Sequence, residues 1–145
     1  MNPSVGYTES NVTRRLFCAP LSLALVAVAA EPATSLRGKL ETGKTPVLET
    51  AQGKRIRLKG DKATMHVLHD ARLNGADFEV VGRFTAQDEF QIGPIHTRSM
   101  FVHRAGEKLM ISYWCDVCSI RTYEPGICMC CQEETALDLK ESFDP

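Results

Sequence analysis

The chain has 145 residues, the length of one domain, and its 43% hydrophobic and 24% charged residues are typical of a globular protein. Its net charge is −1, so no basic surplus favours binding to nucleic acid or to an anionic membrane. Without residues 1–30, which contain Arg14, Arg15 and Glu9, 15 basic and 17 acidic residues remain and the net charge is −2. We therefore expect no nucleic-acid partner.

The first thirty residues have the pattern of a secretory signal peptide. An arginine pair precedes an apolar run from Ala19 to Ala30, which is too short and too near the N-terminus for a core element. Ala27-Val28-Ala29 supplies the small residues that signal peptidase requires, so cleavage is expected before Ala30 or Glu31. The sequence thus predicts an exported protein, periplasmic or extracellular, with no membrane span in the mature chain.

The segment Thr13-Arg14-Arg15-Leu16-Phe17 resembles the twin-arginine export signal of bacteria, whose pattern is Ser/Thr-Arg-Arg-x-Phe-Leu-Lys. Cys18 stands where that pattern has Leu, and the Lys is missing. An ordinary secretory peptide with two arginines therefore remains open. The resemblance implies a protein that folds, and loads any cofactor, in the cytoplasm before export.

The body of the chain has the pattern of short strands with one helix. Charged residues alternate with Ile56 and Leu58, which predicts a strand with one buried face. Asp61 is the expected N-cap of the helix, along which Ala63, Val67 and Ala71 form one apolar stripe. The predicted elements are strands at 35–40, 46–50 and 54–59, a helix at 61–73, strands at 78–84 and 90–95, a hairpin of 100–103 and 108–114, and a last strand at 135–140.

Three strands, a helix and two further strands resemble the OB-fold barrel, in which one helix lies between the third and fourth strands. The resemblance covers residues 35–95 and rests on the order of the elements, so a Greek-key barrel or an α+β sandwich would give the same pattern. We expect a mainly β, small α+β protein. An OB-like β-barrel with one short helix would occupy residues 31–114, and a Cys-rich metal-binding loop and a C-terminal strand would occupy residues 115–145.

The strongest motif follows the barrel. Cys115, Cys118, Cys128 and Cys131 have the spacing C-x2-C-x9-C-x2-C, and each C-x2-C turn can aim two sulfurs at one point. Between the pairs, the turn residues Tyr123-Glu124-Pro125-Gly126 fold the second pair back towards the first. These four cysteines are the predicted metal ligands, with Cys130 as an additional candidate.

Several occupants of this cluster remain open. The spacing resembles that of zinc ribbons and of rubredoxin, although ribbons have Gly directly after each pair, where Ser119 and Gln132 stand here. Structural zinc is the first expectation, because closed four-thiolate sites usually hold Zn²⁺. The alternatives are iron, an Fe–S cluster, copper(I) with Cys130 and Met129 as further soft ligands, and disulfides with one free thiol.

His66 and His69 lie three residues apart on the predicted helix and could face one metal, but a structural role is the expected one. His96 and His103 are expected on the surface. No nucleophile–base pair, phosphate loop or paired-carboxylate motif is recognisable from spacing. A closed thiolate site also leaves no coordination position for a substrate, so an enzyme is the less expected class.

The sequence therefore predicts a small exported metal-binding module. We expect a non-enzymatic binding or accessory protein that meets a protein or a small ligand and is stabilised by a structural zinc site with four cysteine ligands. The alternative is a redox or metal carrier in which the cysteine cluster itself works with iron, an Fe–S cluster or copper(I). Single-stranded nucleic-acid binding follows only from the OB analogy, and export and negative charge disfavour it.

Overall fold

The computed structural model of the chain describes residues 32–141. The predicted signal peptide and its cleavage site lie outside the described residues. The elements are β1 (Thr34–Glu41), β2 (Val47–Thr50), β3 (Arg55–Lys59), α1 (Lys62–Leu68), a 3-10 helix (Ala71–Leu73), β4 (Asp77–Ala86), β5 (Glu89–Ile92), α2 (His96–Ser99), β6 (Met100–Arg104), β7 (Glu107–Cys115), β8 (Ile120–Thr122) and β9 (Ala136–Glu141). The protein is mainly β, as predicted.

Strands β1 to β5 form a closed barrel. Antiparallel pairs join β1 to β2, β2 to β3, β5 to β4 and β4 to β1, and a parallel pair joins β3 to β5. Helix α1 lies between β3 and β4 in the chain, which is the element order of the OB fold. The predicted OB-like barrel is therefore confirmed, and its closure lies within residues 34–92.

Two glycines of the barrel lie close against the backbone of neighbouring strands. A Cβ at Gly82 of β4 would collide with the backbone carbonyl of Gln91, and one at Gly38 of β1 would collide with that of Glu49. Gly82 is also the position at which β4 pairs with both Thr34 of β1 and Ile92 of β5. Glycine at these two positions therefore permits the close backbone approach that a small closed barrel needs.

The helical region differs from the prediction in two ways. Asp61 caps α1 as expected, accepting a hydrogen bond from the Thr64 backbone N–H at 2.8 Å, but the helix ends at Leu68. Asp70 then accepts from the Arg72 backbone N–H at 3.0 Å and starts a separate 3-10 helix. The predicted stripe through Ala71 is wrong, because that residue is exposed; the buried face of α1 is Thr64, Val67 and Leu68. Helix α2 was not predicted.

Strands β6 to β9 extend the barrel sheet on one side. The first half of β4 pairs with β1 on one edge and with β6 on the other, and β6 pairs with β7. Strand β7 pairs with β9 along residues 109–114, while β6 and β8 share its opposite edge. Strand β7 thus leads directly from the barrel sheet into the cysteine cluster.

One apolar core lies inside the barrel and under the extension. Leu137 and Leu139 of β9 pack against it from the C-terminal strand, on one face as predicted. Its buried members come from α1, the 3-10 helix and strands β1 to β7, and they are Leu40, Leu48, Ile56, Leu58, Val67, Leu68, Leu73, Phe78, Val80, Phe90, Ile92, Met100, Val102, Ile111 and Tyr113. None of the helices within residues 32–141 is long and apolar enough to cross a membrane.

Candidate metal centre

The first cysteine pair lies at the tip of the β7–β8 hairpin. Cys115 is the last residue of β7 and pairs with Ile120 of β8, so residues 116–119 form a tight turn. Ser119, directly after Cys118, has φ 53°, a left-handed conformation that glycine usually supplies. The turn therefore ends in a left-handed residue that is not glycine.

The second pair repeats this design. Ile127 and Glu134 form an isolated antiparallel bridge, and within it the Cys128 backbone N–H donates to the Glu133 carbonyl at 2.7 Å. The Gln132 N–H donates back to the Cys128 carbonyl at 2.9 Å, and Gln132, directly after Cys131, has φ 65°. Both C-x2-C pairs therefore sit on turns that end in a left-handed residue. We call residues 115–119 the first knuckle and residues 128–132 the second.

The two knuckles bring four sulfurs to one place. The Sγ atoms of Cys115, Cys118, Cys128 and Cys131 all lie within 4.8 Å of one another, and those of Cys115 and Cys131 are 3.4 Å apart. Four sulfurs at the corners of a tetrahedron around zinc, each about 2.3 Å from the metal, would be about 3.8 Å apart. The observed separations fit a four-thiolate metal site. It is the only group of metal-ligating side chains of this kind within residues 32–141.

Burial and hydrogen bonding act on the ionisation of these thiols in opposite directions. Cys115 and Cys128 are buried, each 2% exposed, and Cys118 and Cys131 are half-buried. The backbone N–H groups of Cys131 and Cys130 donate towards the Cys128 sulfur and lower its pKa to about 7. Contact with the Cys130 thiol, followed by burial, raises the pKa of Cys118. The backbone N–H groups therefore favour the thiolate at Cys128, whereas the surroundings of Cys118 favour its neutral thiol.

Cys130 lies outside the group of four. It is exposed, as is the neighbouring Met129, whose side chain is 94% accessible. None of the five cysteines within residues 32–141 is in a disulfide. The arrangement separates four inward-facing thiols from one that is open to solvent.

Three side chains from the helices fasten the segments on either side of the second knuckle. His66 of α1 contacts the Glu124 carboxylate at 3.1 Å, and the His96 Nε2 of α2 lies 2.9 Å from the Tyr123 carbonyl. The Arg72 guanidinium donates to the Thr135 carbonyl at 2.7 Å. The knuckles therefore have a fixed position on the barrel. Sequence spacing gave no sign of these contacts, because the partners are between 27 and 63 residues apart.

The predicted alternative of a histidine metal pair is not supported by these contacts. His66 faces Glu124, whereas His69 Nδ1 lies 2.8 Å from the Gly43 carbonyl. The two rings thus serve different loops. His103 is mostly buried and contacts Glu79 at 2.6 Å, so the expectation that it lies on the surface is wrong.

The chain matches no model of a known protein family, no curated protein and no solved structure. What the site can do chemically therefore has to be inferred from its geometry. Four thiols on two knuckles, at the end of a strand that also enters the core, can hold a metal ion. Backbone hydrogen bonds to sulfur favour the thiolate at one of them, Cys128.

Proposed function

We propose that this chain is a small exported binding or accessory module whose Cys-rich segment, residues 115–135, is ordered by a structural zinc ion. The observation that carries the proposal is the convergence of four thiols, two of them buried, on knuckle turns. Zinc suits such a site because it has no geometric preference beyond four close ligands and takes thiolates at neutral pH. With all four positions taken by protein, the ion would hold the segment together rather than act on a substrate.

The proposal includes export through the twin-arginine route. That route carries folded proteins with their metal already loaded, which would keep five thiols from oxidising before the site is filled. Replacing Arg14 and Arg15 with Lys should retain the chain in the cytoplasm, as fractionation of expressing cells would measure. Normal export of the double variant would leave an ordinary signal peptide, and an intact N-terminus on exported protein would remove the signal peptide as well.

Nucleic acid is not a proposed partner. The outward basic residues of β3, on the face that OB folds often use for recognition, are each paired with a carboxylate. Arg55 pairs with Glu41, Arg57 with Asp88 and Lys59 with Glu89, at 2.6 to 3.1 Å. These pairs neutralise the charge that would attract phosphates.

A second candidate, a metal or redox carrier, is favoured by one observation. The exposed Cys130 thiol and Met129 thioether lie beside the inward-facing group and offer soft donors to solvent. In a carrier these atoms would receive or release the metal. A structural zinc site does not need these two donors. Replacement of Cys130 and Met129 should therefore impair a carrier and leave a structural site intact.

Elemental analysis of the purified full chain, together with a visible spectrum, tests the proposal. One zinc per chain and no colour is the expected result. A coloured, redox-active protein with iron, or one equivalent of copper, would favour the carrier. Alkylation of the native protein should modify Cys130 first, and removal of the metal should expose all five described thiols. If unfolded, unreduced protein has one free thiol among residues 115–131 and no metal, disulfides replace the metal site.

A further inference from the structure

Among the described residues, the exposed large apolar side chains are concentrated around the four cysteines. Seven large apolar residues within residues 32–141 are exposed, and five of them lie in the short stretch 117–129. They are Val117, Ile120, Tyr123, Ile127 and Met129. An even distribution would place about one there, so this clustering points to a surface that contacts something.

These side chains stand on ordered backbone. Val117 lies inside the first cysteine pair and Met129 inside the second, so both flank the same four sulfurs. Ile127 is held by its bridge to Glu134, and the Tyr123 carbonyl is fastened by His96. The backbone that carries these apolar side chains is therefore already ordered. A partner would not pay the entropy of ordering it on binding.

The charges around these groups have one sign. Asp116, Glu133 and Glu134 are exposed, and none of them takes part in an ion pair within the part of the chain that the structure describes. Arg121, the only basic residue between Cys115 and Thr135, is bound to Asp138 at 2.8 Å. The free charge of the segment is thus negative, and a partner would need to be positive.

We propose that the knuckle surface, formed by Val117, Ile120, Ile127 and Met129 with the carboxylates of Asp116, Glu133 and Glu134, docks a basic amphipathic segment of another protein. Leu or similar side chains of that segment would cover the apolar groups, and its Lys or Arg would meet the carboxylates. Anionic lipid and a second copy of this chain are disfavoured, because both would bring negative charge to the same surface. This inference rests on the proposed function, since it takes the knuckles to be ordered by a metal.

The test uses the full chain, with its metal content measured first, and three synthetic peptides of helical periodicity. One combines Leu with Lys, one Leu with Glu, and one Ser with Lys. Only the Leu/Lys peptide should bind in a calorimetric titration. The double change Val117→Ser with Met129→Ser should weaken binding about tenfold or more, as expected for central apolar contacts. Asp116→Asn with Glu133→Gln should weaken it less and reduce its salt dependence.

Matched variants elsewhere on the chain serve as controls. Phe84→Ser removes another exposed apolar side chain, and Glu107→Gln another exposed carboxylate, and neither should change binding. Absence of binding to a metal-loaded chain, or equal binding of the Leu/Glu or Ser/Lys peptide, would overturn the proposal. So would equal loss of binding in the Phe84→Ser control.

The double variant also tests two other binding partners of the knuckle surface, a second copy of the chain and a membrane. Sedimentation that shows a dimer abolished by Val117→Ser with Met129→Ser would replace the basic segment with a second copy. Binding to anionic phospholipid vesicles with loss in the same double variant would replace it with a membrane. If the purified chain holds no metal but still binds the Leu/Lys peptide, the zinc proposal fails and the docking surface stands.

Discussion

The barrel and the Cys-rich segment differ in how many of their apolar side chains they bury. The barrel surrounds a continuous core of fully buried side chains such as Leu48, Phe78 and Phe90. No residue between Cys115 and Thr135 belongs to that core, and the buried side chains there are Cys115, Cys128 and Thr135. The segment instead exposes most of its large apolar residues. Burial of apolar area can hold the barrel, whereas the segment needs a different source of free energy.

A bound metal ion and the apolar core would therefore stabilise different regions of the protein. A metal held by four thiolates replaces a core in a segment that is too short to have one. It also leaves the apolar side chains free for contact with a partner. The two regions should therefore respond differently to the same treatment, and two probes can follow them. Far-UV circular dichroism reports mainly on the barrel strands, and the single tryptophan, Trp114, lies next to Cys115.

Loss of one buried thiol should have the largest effect on the segment. Cys115→Ser removes a ligand whose sulfur lies 3.4 Å from that of Cys131, and we expect it to abolish metal binding. Structural zinc sites contribute about 10–16 kcal/mol to small metal-held units, so the knuckles should lose their order. Trp114 fluorescence should change, while the circular dichroism of the barrel is kept. Cys130→Ser is the control and should retain the full metal equivalent; equal loss in both variants would contradict the four-ligand assignment.

A cavity in the core should affect both regions. Phe78→Ala should reduce the free energy of unfolding by about 3–5 kcal/mol, because the ring is fully buried. Strand β7 packs on the same core, so both probes should report the loss together in a denaturant titration. Phe84→Ala, on the same strand but 42% exposed, should cost about 1–2 kcal/mol, because its ring makes an edge contact with Phe90 at 5.1 Å between centroids. A loss as large as that of Phe78→Ala would contradict the difference in burial.

Acid should act on the sheet through Glu79. Burial opposes its ionisation, but hydrogen bonds from Lys108, His103 and Ser35 lower the pKa of Glu79 to about 2. Since the folded pKa is below the unfolded one, the carboxylate stabilises the fold above about pH 4.5 and loses this contribution as the pH falls towards 2. The shift from 4.5 to about 2 corresponds to about 3 kcal/mol.

The matching variant is Glu79→Gln. Its free energy of unfolding, measured by far-UV circular dichroism from pH 6 to pH 2, should fall less steeply than that of the unchanged chain. Glu107→Gln, at the exposed first residue of β7, should follow the unchanged chain. All three proteins keep the same cysteines. Loss of metal in acid should therefore change the free energy of unfolding equally in each and leave the differences between them unaffected. Parallel curves for all three would contradict the assignment to Glu79.

The smallest effect should come from the left-handed residues of the knuckles. Ser119→Gly removes the strain of φ 53° and should stabilise the ordered loop by about 1 kcal/mol, which is about a fivefold gain in metal affinity. A chelator competition measures it. Gln132→Gly should gain less, because the Gln132 side chain donates to the Met129 carbonyl at 3.1 Å and that bond is lost. A loss of affinity in Ser119→Gly would mean that the serine side chain contributes more than its strain costs.

The sequence predicted the strands well where the pattern is local. Alternation marked β3 at Ile56 and Leu58, and Asp61 marked the start of α1. The end of α1 was missed, because Asp70 binds its own backbone two residues on and so stops a pattern that still looked helical. The parallel β3–β5 pair could be expected only by analogy, since no local signal gives the order of strands in a sheet.

The candidate site was predictable to a similar degree. Spacing selected the four cysteines that converge, because two C-x2-C turns leave few other ways to bring sulfurs together. The left-handed φ of Ser119 and Gln132 was hidden, since neither residue is glycine. The fastening by His66, His96 and Arg72 was hidden too, because it depends on how distant segments meet.

Strand β7 contributes a side chain both to the core and to the cysteine group. Tyr113 lies in the core and Cys115 in the cysteine group, two residues apart on the same face of the strand. A slip of one residue in the pairing of β7 would turn both side chains to the other face at once. A chain with that slip would bring three thiols together in place of four and could not offer four ligands to a metal ion. The register of β7 therefore decides whether all four thiols can meet at one point.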